Sequence, residues 1–190
     1  MTNQFGPFGK WIAGYFRTYG GWTAVAQSPL FQIAFIITAL NYTKWFHEDW
    51  VELALTLLPT LLGFSLGTYA ILFSLLGDKL KEALSAARDK NGTSRLTEVN
   101  TTFFHFIFIQ VLAIVWAFIF SGSSLVDLVD ALKASWPSVV SIYRIVYLIG
   151  SFSGYLLMLY SVLLTLGAAM AVYRLALLKT PKDPPPSTDA

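Results

Sequence analysis

Between Leu53 and Gly77 the chain runs for 25 residues without a charged side chain. Crossing the ~30 Å hydrocarbon core of a bilayer takes about 20 mostly apolar residues. Lipid offers no water to backbone N–H and C=O groups, so such a segment has to close its hydrogen bonds within itself, as an α-helix. The composition extends this constraint to the whole chain. Charged residues make up 13% of the 190 and hydrophobic residues 55%, whereas a soluble domain carries about 25% charged residues. That is too little polar surface to cover a water-soluble globule.

Three further stretches meet the same criterion: residues 22–43, with an apolar heart at Leu30–Leu40, residues 103–122, and residues 145–173. The last holds 29 uncharged residues between Arg144 and Arg174, about 43 Å of helix at ~1.5 Å per residue, so it has to tilt, bend or protrude. Pro59 removes a backbone N–H from the second span and is expected to bend it. No compact apolar leader with a small-residue cleavage site stands before the first span, which is therefore expected to be retained.

Orientation follows from the basic residues. With both termini in the cytoplasm, Lys10, Arg17, Lys79, Lys81, Arg88, Lys90, Arg95, Arg174, Lys179 and Lys182 lie inside, and Lys44, Lys133 and Arg144 lie outside. That is a positive-inside distribution. The expected fold is an all-α integral membrane protein with one membrane domain and four transmembrane helices, N-in and C-in, placed in the inner (plasma) membrane of the cell.

Three segments outside the spans have patterns of their own. Phe8, Trp11, Ile12, Tyr15, Phe16 and Tyr19 follow helical spacing, with Lys10 and Arg17 off the stripe. Residues 5–19 therefore predict an interfacial helix, with Phe8, Trp11 and Tyr15 as anchors in the headgroup layer. It serves either to steady the first span or to sense lipid packing.

Residues 78–102 form the one sizeable polar insert. Leu80, Ala83, Leu84 and Ala87 share a helical face, so the second span is expected to continue into the cytoplasm. Asn91–Gly92 signals a turn and Ser94 a helix cap, giving a basic hairpin. Lys79, Lys81, Arg88, Lys90 and Arg95 then either enforce topology or dock a cytosolic partner or acidic lipid headgroups. On the other side, residues 124–136 predict an outer interfacial helix. Residues 180–190 are proline-rich and are expected to be disordered.

Two small-xxx-small motifs, Gly63–Gly67 and Gly150–Gly154, let helix backbones approach closely. They either pack spans within one chain or join copies of it, and Ser65, Ser151 and Ser153 add interhelical hydrogen bonding. Gly63–Gly67 also spells the G-x-S-x-G pattern of a serine hydrolase, but that pattern needs a histidine at the depth of Ser65. His47 falls in an outer loop and His105 near the start of its span, so neither is expected to reach it.

His47, Glu48, Asp49 and Glu52 cluster near the outer face, where they would hold a cation weakly at best. No facing carboxylates lie within the spans to run a proton pump or dimetal enzyme. Zero cysteines exclude disulfides, thiolate metal sites and a thiol nucleophile. No metal, no cofactor and no catalytic residue is expected, and a net charge of +2 is too small to suggest direct nucleic-acid binding. Gln32, Gln110 and His105 remain as intramembrane polar groups that cross-link helices or line a pathway.

The segment Gly63–Leu84, a glycine-bearing span running into a charged helix, resembles small multi-span membrane components of bacterial anti-phage systems, such as the four-span membrane protein of Kiwa. The resemblance is one of size, span count and the basic 78–102 insert. It implies an inner-membrane oligomer that anchors or regulates a cytosolic effector. The residues themselves leave two readings open. One is a non-enzymatic, self-associating scaffold and sensor contacting the lipid bilayer and a cytosolic protein. The other is a small oligomeric channel or pore-forming effector, with its pathway near Gln32 or Gln110.

Overall fold

The computed structural model describes residues 5–47, 49–88, 92–122 and 124–177. Its described residues form nine helices, with no strand beyond an isolated bridge between Arg88 and Ser94. They are α1 (Phe5–Tyr19), α2 (Gly21–Gln27), α3 (Pro29–Leu40), α4 (Tyr42–Phe46), α5 (Asp49–Leu75), α6 (Asp78–Ala86), α7 (Arg95–Ser121), α8 (Ser124–Leu132) and α9 (Ser138–Ala176). Three of these, α5, α7 and α9, are long and apolar enough to cross a membrane. The bent pair α2–α3 makes a fourth span if it is counted as one.

That bend corrects the expectation of a continuous helix over residues 22–43. The chain turns by 65° between α2 and α3. Pro29 disfavours helical backbone at the residue before it, and Ser28 accordingly sits at φ −64°, ψ 124°. Pro29 then occupies the first turn of α3, where its missing N–H costs nothing. A second break at Asn41 separates α3 from the short α4.

Other boundaries move too, and the outer interfacial helix expected over 124–136 ends at Leu132. α5 starts at Asp49 and runs unbroken through Pro59. It ends at Leu75, so the second span does not continue into α6: Gly77, in extended backbone, separates them. α7 begins at Arg95, two turns before the predicted third span, and Ser94 caps it by accepting a hydrogen bond from the Thr97 N–H at 3.2 Å. α9 begins at Ser138 and so takes Arg144 into the helix. Its 39 residues measure about 58 Å at ~1.5 Å per residue, well beyond the ~30 Å core.

α7 packs between α5 and α9, while α3 and α4 lie on α9. One core cluster joins Val25 and Ala34 to Phe103, Phe106, Ile109, Tyr160 and Leu164. A second joins Trp50, Ala54 and Leu58 to Ala113, Ala117, Tyr155 and Met158. α6 folds against the start of α7 through Leu76, Leu84, Leu96 and Val99, so its apolar face is covered. The residues left facing outward along the spans are large and apolar, among them Phe64, Ile71, Phe118, Ile149 and Leu166. In water such a surface would aggregate, and lipid is the solvent that accepts it.

Candidate functional site

The most connected polar group among the described residues is built on His105. α7 carries this side chain inward, fully buried, ten residues past the helix start. That is about 15 Å along the helix axis from Arg95, but only two residues past Phe103, where the apolar run begins, so it keeps the shallow depth expected from the sequence. The Tyr15 hydroxyl of α1 bonds its Nδ1, and its Nε2 lies 2.9 Å from the Tyr160 hydroxyl of α9. The ring of Tyr19 stacks on the imidazole at 4.0 Å between centroids, with planes 16° apart. One histidine therefore ties α1 and two spans together.

The local reasons are legible. The α1 stripe is aromatic, and a buried tyrosine needs a partner for its hydroxyl. Tyr15 finds that partner on α7, so its hydroxyl faces the bundle, where the sequence pattern suggests an anchor in the headgroup layer. Burial pushes the Tyr15 and Tyr19 phenols up from their ordinary pKa, so both keep their protons. Trp11 stands 59% exposed at the rim, edge-on to Phe104 at 4.8 Å. The side chain of Phe8 lies outside the described residues.

The turn between α1 and α2 depends on glycine. Gly20 and Gly21 take φ of +103° and +69°, a region L side chains avoid. A Cβ on Gly20 would also lie 2.9 Å from that of Ala24.

The other intramembrane polar residues have separate places. Gln110 is fully buried and donates from Nε2 to Ser65 Oγ at 3.0 Å, joining α7 to α5. Ser65 thus faces an amide and no histidine. Gln32 stays outside the core but links α3 back to α2 across the break. It is exposed, and its Nε2 donates at 3.2 Å to the Ala26 carbonyl, which the break at Ser28 leaves without its helical partner.

The two glycine motifs differ in kind. Cβ atoms on Gly150 and Gly154 would collide with Phe120 and with Trp50, respectively, so this pair is filled from within the chain. Trp116 Nε1 donates to the Gly150 carbonyl at 2.9 Å. Trp50 Nε1 donates to Ser151 Oγ at 2.8 Å, and Ser151 in turn bonds the Trp45 carbonyl. Ser153 only bonds back to its own helix, at Ile149. A Cβ added to Gly63 or Gly67 would meet nothing within 4 Å, and both glycines look outward, away from Ser65.

Of the basic hairpin residues, Arg88 donates to the Gly92 carbonyl at 2.7 Å and Arg95 pairs with Glu98 at 2.6 Å. Lys79 is exposed and Lys81 half-buried on α6. Lys90 lies outside the described residues. Among the described residues no three His, Asp or Glu side chains converge on a metal site.

Sequence reasoning missed Tyr160, Trp45 and Trp50, and placed Tyr19 only on the aromatic stripe of α1. The available signal was a tyrosine with no polar neighbour inside an apolar span, which has to find a hydrogen-bond partner on another helix. Compared with known protein families, with curated proteins and with solved structures, the chain matches none of them.

Proposed function

We propose that this chain is a non-enzymatic membrane scaffold and sensor whose sensing element is α1. The observation that carries this reading is the buried Tyr15–His105–Tyr160 chain. It fastens an amphipathic helix outside the spans to two helices long and apolar enough to cross the membrane. An interfacial helix responds to lipid packing because its binding depends on apolar area inserted at the headgroup boundary. A docked helix held by a few polar contacts is a two-state element, and a disturbed membrane that binds the released helix better shifts the balance toward release.

The same reading places both termini in the cytoplasm and the chain in the inner (plasma) membrane. Copies associate through the outward Gly63–Gly67 face, while α6 offers Lys79 and Lys81 to a cytosolic partner. The biological setting is anti-phage defence, where loss of the chain would abolish protection against phage plating.

Since the chain has no cysteine, a label pair can be placed freely. Spin labels at Arg17→Cys on α1 and Ser74→Cys on α5, both exposed, report docking in nanodiscs. One short distance is expected in well-packed lipid, and a second, longer population in lipid with packing defects. His105→Leu should show the longer population in both. A single unchanged distance in all four samples would sink the sensing role.

A further inference from the structure

A cavity of about 450 Å³ opens directly beside the Tyr15–His105 contact, the latch that docks α1, between α1, α5 and α7. Lys10, Trp11 and Tyr15 wall it from α1, Tyr69 from α5, and Asn100 and Thr101 from α7. We propose that this cavity binds the phosphate headgroup of an anionic phospholipid, and that the bound lipid holds α1 in its docked state. The inference rests on the reading of α1 as the sensing element.

Three observations converge on that ligand. The first is the donor set. The Tyr69 hydroxyl donates to Asn100 Oδ1 at 3.0 Å, which fixes the amide with its NH₂ as the remaining end. That group is donor-only, as is the Lys10 ammonium, and the Thr101 hydroxyl can donate as well. No carboxylate is among the described residues of the lining. The nearest acidic residue along α7, Glu98, is already paired with Arg95. Donors without an acidic counterpart suit an oxyanion, and hydrogen bonds to a charged acceptor are the strong ones.

The second observation is depth. On α7 the lining residues Asn100 and Thr101 close the polar first turns, and the apolar run begins at Phe103. That changeover marks the headgroup layer. The same end of the bundle carries Lys10, Arg17, Lys79, Lys81, Arg88 and Arg95, so its charge is complementary to an anionic leaflet.

The third is the wall. The exposed Trp11 presents an apolar face beside Lys10, as aromatic residues do where a lipid's glycerol meets water. A soluble phosphate would have no use for that face. Tyr15 belongs both to the cavity and to the His105 contact. A headgroup bridging Lys10 to Asn100 and Thr101 therefore clamps α1 onto α7 at the point where the latch closes.

The test uses the full chain in nanodiscs of phosphatidylcholine with a minor share of phosphatidylglycerol, read by native mass spectrometry. One phosphatidylglycerol retained per chain is expected in preference to phosphatidylcholine. Lys10→Gln and Asn100→Leu should each lower retention by about tenfold, the scale of one hydrogen bond to a charged group. Lys10→Arg should restore it, and Lys133→Gln, at the other end of the bundle and outside the cavity, should leave it unchanged.

Equal retention of the two lipids, or the same loss from Lys133→Gln, would overturn the site. Displacement of the lipid by inorganic phosphate would assign the cavity to a soluble anion and overturn the lipid. The Arg17→Cys/Ser74→Cys distance, measured on the same samples, separates the two claims. Selective lipid retention with an α1 distance indifferent to that lipid would overturn the clamp while leaving the site. Release of α1 by His105→Leu without selective retention would overturn the site while leaving the sensor.

Discussion

His105 Nε2 lies 2.9 Å from the Tyr160 hydroxyl while Nδ1 meets Tyr15, so both ring nitrogens are committed to tyrosines on different helices. A neutral imidazole has one donor and one acceptor nitrogen, which obliges one tyrosine to accept and the other to donate. The two contacts are thereby chemically linked through a single ring. Neither tyrosine can change its role without consequence for the other.

That linkage is measurable. Tyr15→Phe leaves a buried ring nitrogen without its partner, which costs about 1–3 kcal/mol, and Tyr160→Phe does the same on the other side. Because both act through one imidazole, the double variant should depart from the sum of the singles by about 0.5–3 kcal/mol. Reversible unfolding in mixed detergent micelles supplies the four numbers. Simple additivity would show that the ring does not couple them.

The glycine motifs predict opposite phenotypes for one substitution. Gly154→Leu must displace Trp50 and Trp116 from the place they fill, and overpacking of this kind costs about 1–3 kcal/mol. Gly63→Leu and Gly67→Leu meet open space, so the folded chain should keep its melting temperature. Light scattering on the purified protein should instead show the Gly63 and Gly67 variants shifted toward smaller assemblies. A melting temperature lowered equally by all three would contradict the internal assignment.

The Ser65–Gln110 pair carries an asymmetry of the same origin. Ser65→Ala strands a buried amide, which costs about 1–3 kcal/mol, whereas Gln110→Leu removes the demand and leaves only a small hydroxyl to satisfy. Ser65 can turn that hydroxyl to a carbonyl of its own helix. Gln110→Leu should therefore be the milder change, by about 1 kcal/mol or more, in the same unfolding measurement. The reverse order would show that Gln110 has a second partner.

Charge-free length and turn chemistry explain what could be read from the chain in advance. The uncharged stretches identify α5, α7 and α9 because the hydrocarbon layer imposes one length on every crossing. The Ser94 cap was legible because its chemistry is local. The α2–α3 break was also written locally, in Ser28–Pro29, but the apolar run across it masks the proline. Long-range pairings leave no such mark. Tyr15 and Tyr160 are 90 and 55 residues from His105, and an aromatic stripe with helical spacing looks the same whether it faces lipid or protein. Only the obligation to satisfy a buried hydroxyl distinguishes the two, and it names no partner.

Orientation is within reach of a simple labelling experiment. Basic residues crowd the end of the bundle where α1, α6 and the first turns of α7 lie, and α8 lies at the other end with Lys133 held by Asp130 at 2.9 Å. Moving those charges across a membrane opposes the bias that sets topology. Ser85 on α6 and Ser135 beyond α8 are both exposed, and a single cysteine at either has no native thiol to compete with it. On intact cells, a membrane-impermeant maleimide should label Ser135→Cys and leave Ser85→Cys untouched until the cells are permeabilised. The opposite pattern would invert the molecule, and α1, Lys10 and the cavity beside Tyr15 would then face the outer leaflet.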